Sequence, residues 1–180
     1  MSEPAAMGTA DLASLVAAVG SMAPAAGDGD RIERIRHFEQ LKSACAAAQA
    51  AETAAFVVSQ KAAQAVAGVP AARQGRGVAA QVALARRISP WQAQRYTGWA
   101  AVLSTELPAT FAALRAGWIT EWRAMIVARE TIWLSRADRA RVDAELGPKL
   151  QGWGDRQIEA ETKKVAYRGC QIVCVSGWSV

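Results

Sequence analysis

The 180-residue chain has no asparagine, a single histidine and only three cysteines. Cys45, Cys170 and Cys174 are too few and too scattered for a disulfide framework, so a reducing cytoplasm is the expected compartment. His37 stands beside Phe38, far from any cysteine, and reads as a surface or partly packed side chain. The CxxxC spacing of Cys170 and Cys174 is poor for tetrahedral zinc. No glycine-rich phosphate loop, GxSxG elbow or HExxH helix occurs. Glu159 and Glu161 lie two apart, which points them to different sides of a helix, where Lys163 and Lys164 pair with them. No catalytic residue, metal site or cofactor is therefore expected. Long apolar runs are missing too. The longest weakly polar stretch, 44–58, is alanine interrupted by Gln49 and Glu52, short of the roughly 18–20 residues that span a bilayer. Glu3 and Asp11 precede any basic side chain, unlike a signal peptide. No membrane partner is expected.

Prolines number only six, β-branched runs are few, and 52% of residues are hydrophobic with alanine foremost, a composition that favours helices. Lysine is scarce: 16 of the 21 cations are arginine. Arginine suits bidentate phosphate contacts, and an arginine bias also follows from a GC-rich genome. The net charge of +5 is unevenly placed. Residues 73–141 hold eleven arginines against Glu106, Glu121, Glu130 and Asp138, an excess of seven, while residues 1–72 are net acidic and 142–180 balance.

The most informative stretch is 81–103, QVALARRISPWQAQRYTGWAAVL. Val82, Leu84, Ala85 and Ile88 form one helical pattern, and Ala93, Tyr96, Ala100 and Leu103 a second. Between them Ser89 is an N-cap, Pro90 takes the first helical position, and Gln92 completes a capping box. A small residue (Ala83), an apolar turn residue (Ile88) and a polar cap match helix-turn-helix grammar, although the usual turn glycine is replaced by Arg87.

The remaining helices announce themselves by their ends. Thr9 caps a short helix within a flexible N-terminal segment, 1–29, which closes in a linker at 25–29. Asp30 opens a helix to about residue 67, roughly 55 Å long, stopped by Gly68 and Pro70. Along it Phe38, Leu41, Cys45, Ala48, Glu52 and Ala55 make a narrow seam of coiled-coil spacing, with Cys45 a small core residue. Residues 68–77 form a basic loop. Pro108 and Gly117 bound another helix, and Thr120 caps the next, with Trp122, Met125, Ile126, Arg129 and Trp133 as its mostly apolar stripe. Ser135 caps a helix broken at Gly147-Pro148, and Asp155 caps a last one to about residue 168. The end, 169–180, lacks helical period and reads as a non-helical, altered or truncated tail. The expected fold is all-α, an elongated bundle over 30–168.

The segments RISPWQAQRYTGWA, LPATFAALRAGWITEWRAMIVARET, LSRADRARVDAELGPKL and DRQIEAETKKVAYR, in that order, resemble the actinobacterial domain-of-unknown-function 222 family, also called the 13E12 repeat family. The resemblance covers roughly 32–168. It implies a helical module of the kind that precedes an HNH endonuclease domain, and it brings no catalytic residues with it. An HNH site needs histidines for the metal and the general base and an asparagine to orient the base. One histidine and no asparagine cannot build it, so a non-catalytic module is expected.

The expected partner is DNA. The candidate contacts are Arg73, Arg76, Arg86 and Arg87, with Trp91, Gln92 and Arg95 in the first turn of the second helix, where Gln92 suits adenine and Arg95 guanine or phosphate. Trp99, Trp118, Trp122 and Trp133 are assigned to the core. Two alternatives stand beside this reading: self-association of a second copy through the long-helix seam, and a truncated remnant without independent activity.

Overall fold

The computed structural model describes the backbone of residues 8–176 and the side chains of residues 8–168. Eight α-helices follow in order: α1 (Thr9–Gly20), α2 (Asp28–Val66), α3 (Val78–Arg86), α4 (Pro90–Glu106), α5 (Pro108–Arg115), α6 (Glu121–Thr131), α7 (Arg136–Leu146) and α8 (Asp155–Ser176). Short 3-10 turns at Ala71–Arg73 and Gly147–Gly152 join α2 to α3 and α7 to α8. No strand occurs among the described residues, and the fold is all-α as expected. Among the described residues no helix is long and apolar enough to cross a membrane.

Two compact units divide the chain, Met1–His37 and Phe38–Val180. In the first, the backbone N–H of Gly8 donates to Asp11 Oδ2 at 2.8 Å, so α1 is capped one residue before the expected Thr9. The connector after α1 is tied by arginines from the start of α2. Arg31 Nε donates to the Ala25 carbonyl at 3.0 Å and Arg34 Nη1 to that of Ala23 at 2.8 Å. The helix itself starts at Asp28, two residues ahead of the expected Asp30 cap.

The second unit encloses a continuous core. Leu103, Leu107, Leu114, Ile119, Leu146, Leu150 and Ile158 are fully buried there, joined by Ala47 and Ala50 of α2. Helices α3 and α4 pack together, and α8 packs on α6 and α7. Helices α2, α3 and α5 close in the same way. Residues Gly68, Arg87 and Gly117 take a positive φ, and the next N–H reaches back to the carbonyl five residues earlier, at Gln64, Ala83 and Ala113. Ser135 and Thr120 cap as their positions dictate, accepting from the backbone N–H of Asp138 and Arg123.

Buried polar groups stitch these helices together. The Asp143 carboxylate of α7 accepts from the backbone N–H of Ala109 (2.6 Å) and Thr110 (3.0 Å) and from the Thr110 hydroxyl (2.6 Å), so it caps α5 from another helix. Arg139 pairs with Glu106 and donates to the carbonyls of Thr131, Ile132 and Leu134, which satisfies backbone groups at and beyond the C-terminal end of α6.

Several expectations need correction. The buried face of α2 is Ser43, Ala46, Ala47, Ala50 and Thr53, whereas Cys45, Ala48, Glu52 and Ala55 of the expected seam are exposed. The two sets are offset by two positions, about 200° around a helix. Alanine occurs on every side of this helix and leaves the register undecided. The polar members of the true face satisfy themselves, since Ser43 Oγ donates to the Glu39 carbonyl (2.9 Å) and Thr53 Oγ1 to that of Gln49 (2.7 Å). Cys45 is accordingly an exposed thiol. Trp118, Trp122 and Trp133 are also exposed, and Trp99 is only partly buried. Of the expected α6 stripe only Ile126 is buried; Ala124, Val127, Ala128 and Thr131 turn inward with it, and α8 packs on this helix while the rings stay outside.

The irregular tail expected from residue 169 is overturned as far as Ser176, because α8 runs on through Gly169. A mid-helix glycine costs about 1 kcal/mol relative to alanine and no proline follows to stop the helix. A lone strand, by contrast, would have no partner. Residues 177–180 lie outside the described residues.

Candidate nucleic-acid interface

The α3–α4 corner is built as its letters require. Ser89 Oγ accepts from the Gln92 N–H at 3.2 Å, and Gln92 Oε1 accepts from the Ser89 N–H at 3.0 Å, with Pro90 opening the helix. Ala93, Tyr96, Ala100 and Leu103 bury the inner face of α4. The opposite face of its first turns, Trp91, Gln92, Gln94, Arg95 and Gly98, lies in solvent. In the turn Arg87 adopts φ 56° and ψ 43°, the left-handed conformation usually given to glycine. It is the one non-glycine residue with positive φ among the described residues.

The seven residues singled out from the sequence separate into three groups. Trp91 and Arg95 come together on the outside of the corner, and Arg87 is exposed in the turn before them. Trp91 is 66% exposed, and the Arg95 guanidinium carbon sits 4.7 Å from the centroid of its ring. Arg73 and Arg76 are exposed at the other end of α3, about 13 Å away along a nine-residue helix. Their turn is fixed by Gln64 of α2, whose Oε1 accepts from the Gly75 N–H at 2.6 Å and whose Nε2 donates to the Arg76 carbonyl at 3.2 Å.

Arg86 and Gln92 are committed to the fold. The Arg86 guanidinium lies 3.4 Å from the Tyr96 ring centroid and 3.6 Å from a Glu121 carboxylate oxygen, turned inward. Burial pushes the Tyr96 hydroxyl up to about 12, against the neighbouring Arg86 charge, so it stays neutral at physiological pH. Tyr96 in turn stacks at a tilt on Trp99, ring centroids 5.2 Å apart. The structural role of Arg86 leaves no mark in sequence, because its partners Tyr96 and Glu121 lie 10 and 35 residues further on.

Ion pairing sorts the other arginines of the basic stretch. Arg123 pairs with Asp155, Arg129 with Glu130 and Glu159, Arg139 with Glu106, and Arg141 with Asp138. Arg73, Arg76, Arg87 and Arg95 enter no ion pair among the described residues, and neither do Arg115 and Arg136. The positive excess read from the sequence is thus carried largely by the arginines that flank α3 and open α4.

Among the described residues no three histidine, cysteine, aspartate or glutamate side chains gather in a metal-binding cluster. Fold and site together define an all-α protein with an exposed arginine and tryptophan surface on a capped helical corner. Compared with family models, curated proteins and solved structures, the chain finds no match.

Proposed function

We propose that the Phe38–Val180 unit is a non-catalytic nucleic-acid-binding module with DNA as its partner, and that the α3–α4 corner is the contact surface. The observation that carries this reading is the set of four exposed, unpaired arginines at the two ends of α3 and the start of α4, Arg73, Arg76, Arg87 and Arg95, with the exposed Trp91 beside Arg95. Phosphates neutralise such charges with release of counterions, and the affinity then falls steeply with salt. The resemblance to the 13E12 repeat family supports the same reading, since that helical module accompanies HNH endonucleases. Fluorescence anisotropy of labelled DNA at low and moderate salt tests it: binding at low salt that weakens sharply with added salt is expected, and no binding at low salt sinks the proposal.

A second reading has its own observation. The α2 stripe of Phe38, Cys45, Ala48 and Ala55 is exposed, so a second copy can pair along it without disturbing the core. It predicts a dimer in light scattering that Leu41→Glu converts to a folded monomer. A monomeric wild-type chain at high concentration removes it.

A further inference from the structure

We infer that the corner takes DNA through unpaired bases stacked on Trp91 rather than by reading the edges of a duplex, an inference that rests on the nucleic-acid reading above. Edge reading by α4 would need Gln92 to present both its oxygen and its nitrogen to adenine, or Arg95 to present its fork to guanine. Each already has a partner that such reading would give up. Gln92 Oε1 already accepts from the Ser89 N–H at 3.0 Å, and releasing it would undo the capping box that starts α4. The Arg95 guanidinium lies over the Trp91 ring.

What remains at the corner is a flat aromatic surface and positive charge. One face of the Trp91 indole is backed by Arg95, and with two thirds of the residue in solvent the opposite face is open to a planar partner. The cation behind the ring holds it in place and adds attraction for a phosphate beside the stacked base. Arg87 stands in the turn just before this helix, and Arg73 and Arg76 lie a helix length away, where the same strand can be followed by its phosphates. An aromatic platform flanked by unpaired arginines is the chemistry that binds single strands with little sequence preference.

Electrostatics alone would order the ligands the other way, because duplex has the higher charge density and releases more counterions per phosphate contacted. A preference for single strands therefore reports stacking. The test is anisotropy of the full chain with a labelled single-stranded DNA and with the same strand annealed into blunt duplex, at one ionic strength. Wild type, Trp91→Ala and Trp91→Phe are compared, with thermal melting of each. Wild type should bind the single strand at least about fivefold more tightly than duplex. Trp91→Ala should weaken single-strand binding several-fold more than duplex binding and so erase that difference with melting unchanged, and Trp91→Phe should keep most of it. Equal or tighter duplex binding by wild type, or a single-strand preference that survives Trp91→Ala, overturns the stacking inference and leaves the module standing. Binding to neither ligand at low salt overturns both.

Discussion

Two glycines of the second unit have opposite reasons for being there. Gly117 takes φ +73°, and a Cβ on it would stand 2.8 Å from Gln40 Cβ and 3.0 Å from Gln40 Cα, so α2 passes directly over this turn. Gly117→Ala meets both the backbone strain and the approach, and should destabilise the chain by more than about 2 kcal/mol in chemical denaturation. Gly98, inside α4, would meet nothing within 4 Å. Gly98→Ala should therefore stabilise by about 0.5–1 kcal/mol, and a loss there would contradict the packing described for α4. Asp143 is set by burial, which raises its carboxyl above the ordinary range, while the hydrogen bonds from Thr110 and Ala109 favour the charged form without fully offsetting it. The folded chain thus takes up this proton at higher pH than the unfolded chain. Its contribution is most favourable below the ordinary value of 3.8 and declines as pH rises through the raised one. Asp143→Asn, which can turn an N–H toward the donors of α5, should cost about 2 kcal/mol or more. The gap between wild type and this variant, followed by denaturation from pH 3.5 upward, should narrow with rising pH, and a widening gap would reverse the assignment.

Helix ends were the most legible elements, because a cap is a local contract between neighbouring residues. Ser89 with Gln92, Pro108, Thr120 and Ser135 all act where their spacing put them. Which side of a helix turns inward was less legible. Along α2 alanine fills several faces, and only contacts with distant residues choose among them; along α6 the large rings suggested a core that Ile126 and small residues occupy instead. The candidate site was legible in part. Trp91, Arg87 and Arg95 are exposed as expected, with Arg95 over the Trp91 ring, but the inward turn of Arg86 depends on Glu121, which sequence proximity cannot reveal. Arg87 offers a test that separates stability from binding. Its left-handed backbone costs about 1 kcal/mol that glycine would not incur. Arg87→Gly should raise the melting temperature while weakening DNA binding, and a variant both less stable and fully competent to bind would refute both assignments.

For the molecule as a whole, charge is divided between structure and surface. Most arginines of α6 and α7 pair with carboxylates within the fold, whereas the four around α3 and the start of α4 are left for phosphate. Removing Arg86 along with them would confuse unfolding with loss of contact, so the informative variant spares it. The direct measurement is the slope of log affinity against log salt for single-stranded DNA, in wild type and in a variant with Arg73, Arg76, Arg87 and Arg95 all changed to glutamine. Four phosphate contacts predict a wild-type slope of roughly −3 and a variant that melts normally with a slope near zero. A variant that keeps the wild-type slope and affinity would place the binding surface elsewhere and contradict the account.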